Sequence, residues 1–232
     1  TLFFIAFIPG LFAVLASFLL KEKKAVCDKP KVPMPFFSFL NYWKLSPPEY
    51  KKVVVGLLIF TLFNSSDVFL LLQAKQSGLD DTMVIGVYIF YNLIYALFAF
   101  PIGIIADNFG LKKIFIFGLI LFALVYFGMS VNPNLYFIFG LFFLYGIYAS
   151  ATEGISKAWI SNIIDKKDTA TAIGTYSGFQ SICTMLASSL TGLIWFQFGA
   201  TIAFLVTGIA TVLIIVYFVL IPKTTIARNG AI

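Results

Sequence analysis

Long apolar runs with almost no charge inside them, each close to the thickness of a lipid bilayer, limit this chain more than any other feature. A spanning helix needs about 20 mainly apolar residues. Seven stretches meet that need: 1–20, 53–73, 82–105, 114–129, 135–164, 170–196 and 201–221. Only 11% of the 232 residues are charged, where soluble domains carry about 25%. A water-soluble fold is therefore excluded. No set of segments alternates with period two, so a membrane β-barrel is not expected either. The expected fold is an all-α membrane protein with seven transmembrane helices.

The basic residues give the expected orientation. Of the 16 lysines and arginines, 14 fall on one side of such a layout: eight in the loop 21–52, then Lys112, Lys113, Lys166, Lys167, Lys223 and Arg228. Lys75 is on the other side and Lys157 lies inside a run. By the positive-inside rule the lysine-rich side is the cytoplasm. This bias accounts for the net charge of +6 without a nucleic-acid partner. In the loop 21–52, Phe36, Phe37, Phe39, Tyr42 and Trp43 are expected in the headgroup layer, and Ser46-Pro47-Pro48-Glu49 reads as a serine-capped helix start. The opening run 1–20 has no charged stretch before it and no small-residue cleavage site after it, so it is not a signal peptide. It reads as a helix whose upstream neighbours are missing. There is no histidine, and the two cysteines lie in unlike surroundings, Cys27 among lysines and Cys183 in an apolar run. Neither a disulfide, a metal site nor a cofactor is expected.

Between the runs 82–105 and 114–129 stands a short polar interruption containing Gly103, Asp107, Gly110, Lys112 and Lys113. It is too short for a domain and must be a tight turn, with Gly110 supplying a backbone that a Cβ resists and the two lysines anchoring the next helix at the headgroups. The runs also repeat. Ile85-Gly86-Val87-Tyr88 matches Ile173-Gly174-Thr175-Tyr176, and at the same 88-residue offset Asn92 falls on Gln180. Phe109-Gly110 answers Phe198-Gly199, and Asn64-Ser65-Ser66-Asp67 answers Ser150-Ala151-Thr152-Glu153. Each unit holds three runs, an odd number, so successive units cross the membrane in opposite senses.

The spacing G-x-x-x-D-x-x-G-x-K-K resembles the loop signature of the major facilitator superfamily, with Asn108 and Leu111 where that family has basic residues. The resemblance covers the whole chain. It implies that 1–20 is the last helix of a truncated N-terminal half, 21–52 the cytoplasmic loop between halves, 53–222 the C-terminal six-helix half built of inverted three-helix repeats, and 223–232 a cytoplasmic tail. It further implies that Asp107 rests against a helix N-terminus of the missing half, where the dipole favours a carboxylate.

Ionisable groups inside a bilayer cost several kcal/mol and mark sites or pairs. Asp67, with Asn64 one turn before it, is the expected substrate- or proton-coupling acid, unless Ser65 and Ser66 simply satisfy it. Glu153 and Lys157, four apart, are expected to pair within the membrane, with Asp107 or Lys112 joining them. Polar stripes, Tyr88-Asn92-Tyr95 on one helix and Tyr176-Gln180-Thr184-Ser188 on another, should face the interior. Asn92, Gln180 and Tyr88 are the neutral candidates for substrate contact. No nucleophile stands beside a base, and no phosphate-binding G-x-x-x-x-G-K-[ST] loop occurs. The expectation is therefore no enzyme. It is proton-coupled secondary active transport of a small solute by alternating access, with efflux of amphipathic or cationic compounds one option, in a bacterial cytoplasmic membrane. The rival is a seven-helix receptor, which has no reason to repeat its helices three by three.

Overall fold

The computed structural model describes residues 7, 11, 12, 14–16, 18, 38–131 and 134–221. The chain divides into two compact units, 1–35 and 36–232. In the first, the described residues are helical and include the exposed Phe7, Leu11 and Phe12. Most of the expected first span, most of the basic loop and the tail lie outside the described residues.

The second unit is a bundle of helices: α1 (Ser38–Leu45), α2 (Pro48–Phe63), α3 (Val68–Gln76), α4 (Asp81–Phe109), α5 (Leu111–Ser130), α6 (Leu135–Ile163), α7 (Thr169–Phe198) and α8 (Ala200–Leu220). No strand occurs among the described residues. Six spans are long and apolar enough to cross a membrane: α2 with α3 as one interrupted span, and α4 to α8 one each. The expected seventh falls on 1–20, so a count of seven is not reached among the described residues.

Local chemistry explains most boundaries. Asp80 and Asn134 cap α4 and α6, accepting from the backbone N–H of Met83 and Phe137 at 2.7 and 3.0 Å. The expected serine cap of α2 is not formed. Pro47 is the cap residue, and Ser46 instead donates to the Trp43 carbonyl at 2.8 Å, closing the end of α1. Tyr42 and Trp43 are turned onto the bundle, edge-on to Tyr50 and Phe179 at 5.6 Å each. Helices α4 and α5 are joined by Gly110 alone, at φ 98°, and α7 and α8 by Gly199 alone, at φ 85°. The expected turn glycine and its repeat partner thus do the same conformational work at opposite ends of the bundle.

Packing follows the repeat. The α4–α6 contact is mirrored by α7–α2, α5–α6 by α8–α2, and α4–α5 by α7–α8, while α5 and α8 pack on each other across the seam. Aromatic rings fill the centre. Phe60 packs edge-on to Phe115 and Phe122, Phe122 stacks on Tyr126 at 4.2 Å, and Phe218 packs against Phe115 and Trp159. In the apolar windows of α5 and α6, 56% of residues are buried, against 22% in α4 and 11% in α7. Helices α4 and α7 therefore flank this unit with faces that only lipid or further protein can cover.

Candidate transport site at a helix break

The four residues Asn64-Ser65-Ser66-Asp67 interrupt one span near its middle, and none of them is helical. Short polar side chains of this kind compete with the helix for its own backbone groups. The Asn64 N–H still bonds to the carbonyls of Phe60 and Thr61, and helical bonding resumes with Leu71 N–H to the Asp67 carbonyl at 3.1 Å. Irregular backbone at membrane depth is tolerated only inside protein or beside a cavity. The break therefore marks a polar interior.

Asp67 stands at the start of α3, where the helix dipole favours a carboxylate. One carboxylate oxygen accepts from the Tyr145 hydroxyl of α6 at 2.9 Å, and the other accepts from the Tyr91 hydroxyl of α4. Both tyrosines are almost fully buried. One turn earlier, the Asn64 amide donates to the Tyr148 hydroxyl at 3.0 Å. The partners of Asp67 are thus tyrosines from two other helices, not the neighbouring serines. The Ser66 hydroxyl accepts only a long 3.4 Å contact from the Val68 N–H. Buried beside the break, Asn64 Oδ1 has no hydrogen-bond partner, and the Ser65 hydroxyl faces the Tyr126 hydroxyl.

Tyr88 is 47% exposed and lies edge-on to Tyr91 at 5.4 Å, and Asn92 donates to the Tyr88 carbonyl of its own helix at 2.8 Å. Gln180 is half-buried on α7, where its carbonyl accepts from Thr184 at 3.0 Å. It is not hydrogen-bonded to the Asp67 cluster. Tyr91, Tyr145, Tyr148 and Tyr126 were not among the expected site residues. Tyr145 and Tyr148 are three apart and Tyr91 lies between Tyr88 and Tyr95 in otherwise apolar runs, a pattern that ring packing alone would also produce.

Glu153 and Lys157 share an exposed face of α6, as their spacing requires, and no ion pair joins them. Their common face is open, so nothing presses two long side chains into one geometry. Glu153 instead lies near the Tyr95 hydroxyl of α4. In the polar turn, Gly103 and Asp107 line a groove of about 200 Å³ between α4 and α6, opposite Ser150 and Gly154. Asp107 and Lys113 are exposed. The Lys112 ammonium donates to the Ile221 carbonyl just after α8. A cation is well placed there, because the last carbonyls of a helix carry partial negative charge.

Inverted three-helix repeats and broken spans both recur among secondary transporters. The profile of the Major Facilitator Superfamily matches residues 53–231. The chain belongs to this superfamily. Among its relatives, an uncharacterized MFS-type transporter of Methanocaldococcus jannaschii is 29% identical over 212 residues, covering 86% of this chain and 52% of that protein. An uncharacterized transporter of Buchnera aphidicola is 29% identical over 58% of this chain and 34% of its own length. A probable transporter of Saccharomyces cerevisiae is 28% identical over 68% of this chain and 28% of its own length. The chain thus spans about half the length of the first of these relatives, and less of the others. Membership of the superfamily makes this a multi-pass membrane protein.

Proposed function

We propose that this chain supplies half of a secondary active transporter, and that Asp67 is its coupling or cation-binding acid. The observation that carries the reading is the Asp67 carboxylate, set at membrane depth in an unwound segment and held by hydroxyls from two other helices. A carboxylate held only by neutral donors keeps its charge available to a proton or a cationic substrate. Two such donors on separate helices also tie the protonation of Asp67 to the positions of α4 and α6. Asn64, Tyr88, Asn92 and Gln180 complete the polar lining from which a small solute would be recognised. The second half of the site belongs to an N-terminal six-helix half, and the two rock in alternating access. The groove holding Gly103 and Asp107 receives a helix of that half, with Gly110 setting the turn and Lys112 and Lys113 fixing its basic end. Glu153 and Lys157 close into a pair when the halves meet. The lysine-rich end faces the cytoplasm of a bacterial cell, and amphipathic or cationic compounds suit an aromatic lining with one acid.

The test uses full-length protein in proteoliposomes with a pH-sensitive dye inside, an imposed proton gradient and pools of small solutes. Substrate-dependent proton flux is expected in the wild type and is expected to vanish with Asp67→Asn. Undiminished flux in that variant would remove Asp67 from the coupling role.

A further inference from the structure

A second, unrelated feature lies on the outer face of the bundle, between α2 and α8. Gly56, Ile59 and Phe63 of α2 and Leu213, Ile214 and Tyr217 of α8 line an apolar groove of about 250 Å³. Gly56 lets the helices close at its floor, where an added Cβ would come within 2.6 Å of the Phe218 ring and 2.7 Å of the Tyr217 ring. The groove opens outward, with Leu213 66% exposed on its rim. Its one polar side-chain group, the Tyr217 hydroxyl, donates to the Lys52 carbonyl at 2.9 Å and offers nothing further to an occupant as a donor.

Lys52 stands one turn before Gly56, and Lys52, Gly56, Ile59 and Phe63 follow each other at spacings of four, three and four, which is one helix face. A long side chain here reaches towards the basic end of the bundle, with its charge at the mouth of the groove. Lys52 is exposed, and no ion pair joins it to Glu49 one turn earlier. The neighbouring Lys51 ammonium is engaged, donating to the Lys44 carbonyl at 3.0 Å. An occupant must therefore be apolar along the groove and anionic at one end.

We infer that this groove binds one anionic glycerophospholipid, with an acyl chain between α2 and α8 and its phosphate at Lys52. Charge complementarity at the mouth selects the headgroup, and the apolar groove holds the tail whatever the headgroup.

Full-length protein in detergent is incubated with equimolar phosphatidylglycerol and phosphatidylethanolamine of identical acyl chains, and retained lipid is read by native mass spectrometry. The wild type is expected to retain the anionic lipid about fivefold over the zwitterionic one, the effect of one lysine near a headgroup. Lys52→Gln is expected to lose that preference and still bind the tail, and Leu213→Trp to lower retention of both lipids. Lys166→Gln, elsewhere at the basic end, is expected to change neither. Equal retention by the wild type, or a preference that survives Lys52→Gln, overturns the inference. A photo-crosslinking benzophenone residue at 213 adds an independent reading. An adduct of lipid mass supports the inference, while a crosslink within this chain or to a second copy overturns it.

Discussion

At the scale of single residues, Asp67 shows what keeps a carboxylate inside an apolar bundle. Both oxygens accept from tyrosine hydroxyls, and the residue sits at the positive end of a short helix. Removing one donor leaves an oxygen without its partner, at a cost of about 1–3 kcal/mol. Tyr145→Phe is therefore expected to lower the thermal unfolding midpoint in detergent and to reduce transport, and Tyr91→Phe should act in the same direction. Phe142→Leu, beside both rings but without a polar group, serves as the packing control. Gly146 is the neighbour that makes this geometry reachable. A Cβ there would lie 2.7 Å from the Tyr91 carbonyl oxygen and 2.8 Å from Ile94 Cβ, so α4 and α6 approach closely only because the position is glycine. Gly146→Ala forces the two helices apart and is expected to cost about 1–3 kcal/mol, read as a lower unfolding midpoint with transport impaired. The acid itself was legible in the sequence, since an ionisable residue in an apolar run stands out. Its partners were not, because a tyrosine in a membrane helix serves equally as ring packing, and hydroxyl direction depends on neighbouring helices.

Among the elements, the broken span and the single-glycine turns carry the architecture. Gly110 at φ 98°, ψ 133° and Gly199 at φ 85°, ψ 169° lie where residues with a Cβ are strained. Neither has space-filling neighbours, since an added Cβ would meet nothing within 4 Å. The restriction is purely one of backbone conformation. Gly110→Val and Gly199→Val are expected to cost about 1–3 kcal/mol each, and the first also to slow transport by displacing Asp107 and Lys112. Measured unfolding midpoints equal to wild type would show that the turns tolerate a side chain. The turn glycine was readable from sequence because its neighbours leave no room for a longer loop. The unwinding at Asn64–Asp67 was readable only as a polar interruption. Its repeat partner Ser150–Glu153 stays helical, with Ser150 and Thr152 bonding to the carbonyls of Ile147 and Tyr148 on their own helix. Composition alone does not separate the two cases. Packing does: at the break Asn64 and Asp67 are held by three buried tyrosines of other helices, whereas the Ser150 and Thr152 hydroxyls stay on their own helix.

Seen as a whole, the bundle is two interlocked three-helix units in which α4 and α7 are the least buried spans. The groove holding Gly103 and Asp107 lies between α4 and α6. If a helix of a second half docks there, Asp107→Asn is expected to reduce transport severalfold while leaving the amount of protein in the membrane unchanged. Uptake assays beside immunoblots of the membrane fraction check this, and wild-type rates would count against the docking. What sequence by itself determined here was the class and the plan: apolar runs of bilayer length force helices, an odd-numbered repeat forces inverted units, and a glycine with an acid and lysines between runs forces a tight turn. Those properties depend on spacing along the chain, which is local. Only the tertiary structure decided which hydroxyls hold Asp67, that Lys112 closes the end of α8, and that Glu153 and Lys157 stand apart. Each of those outcomes depends on which helix faces bury one another, and hydrophobic burial is non-directional until the packing of particular side chains selects a face.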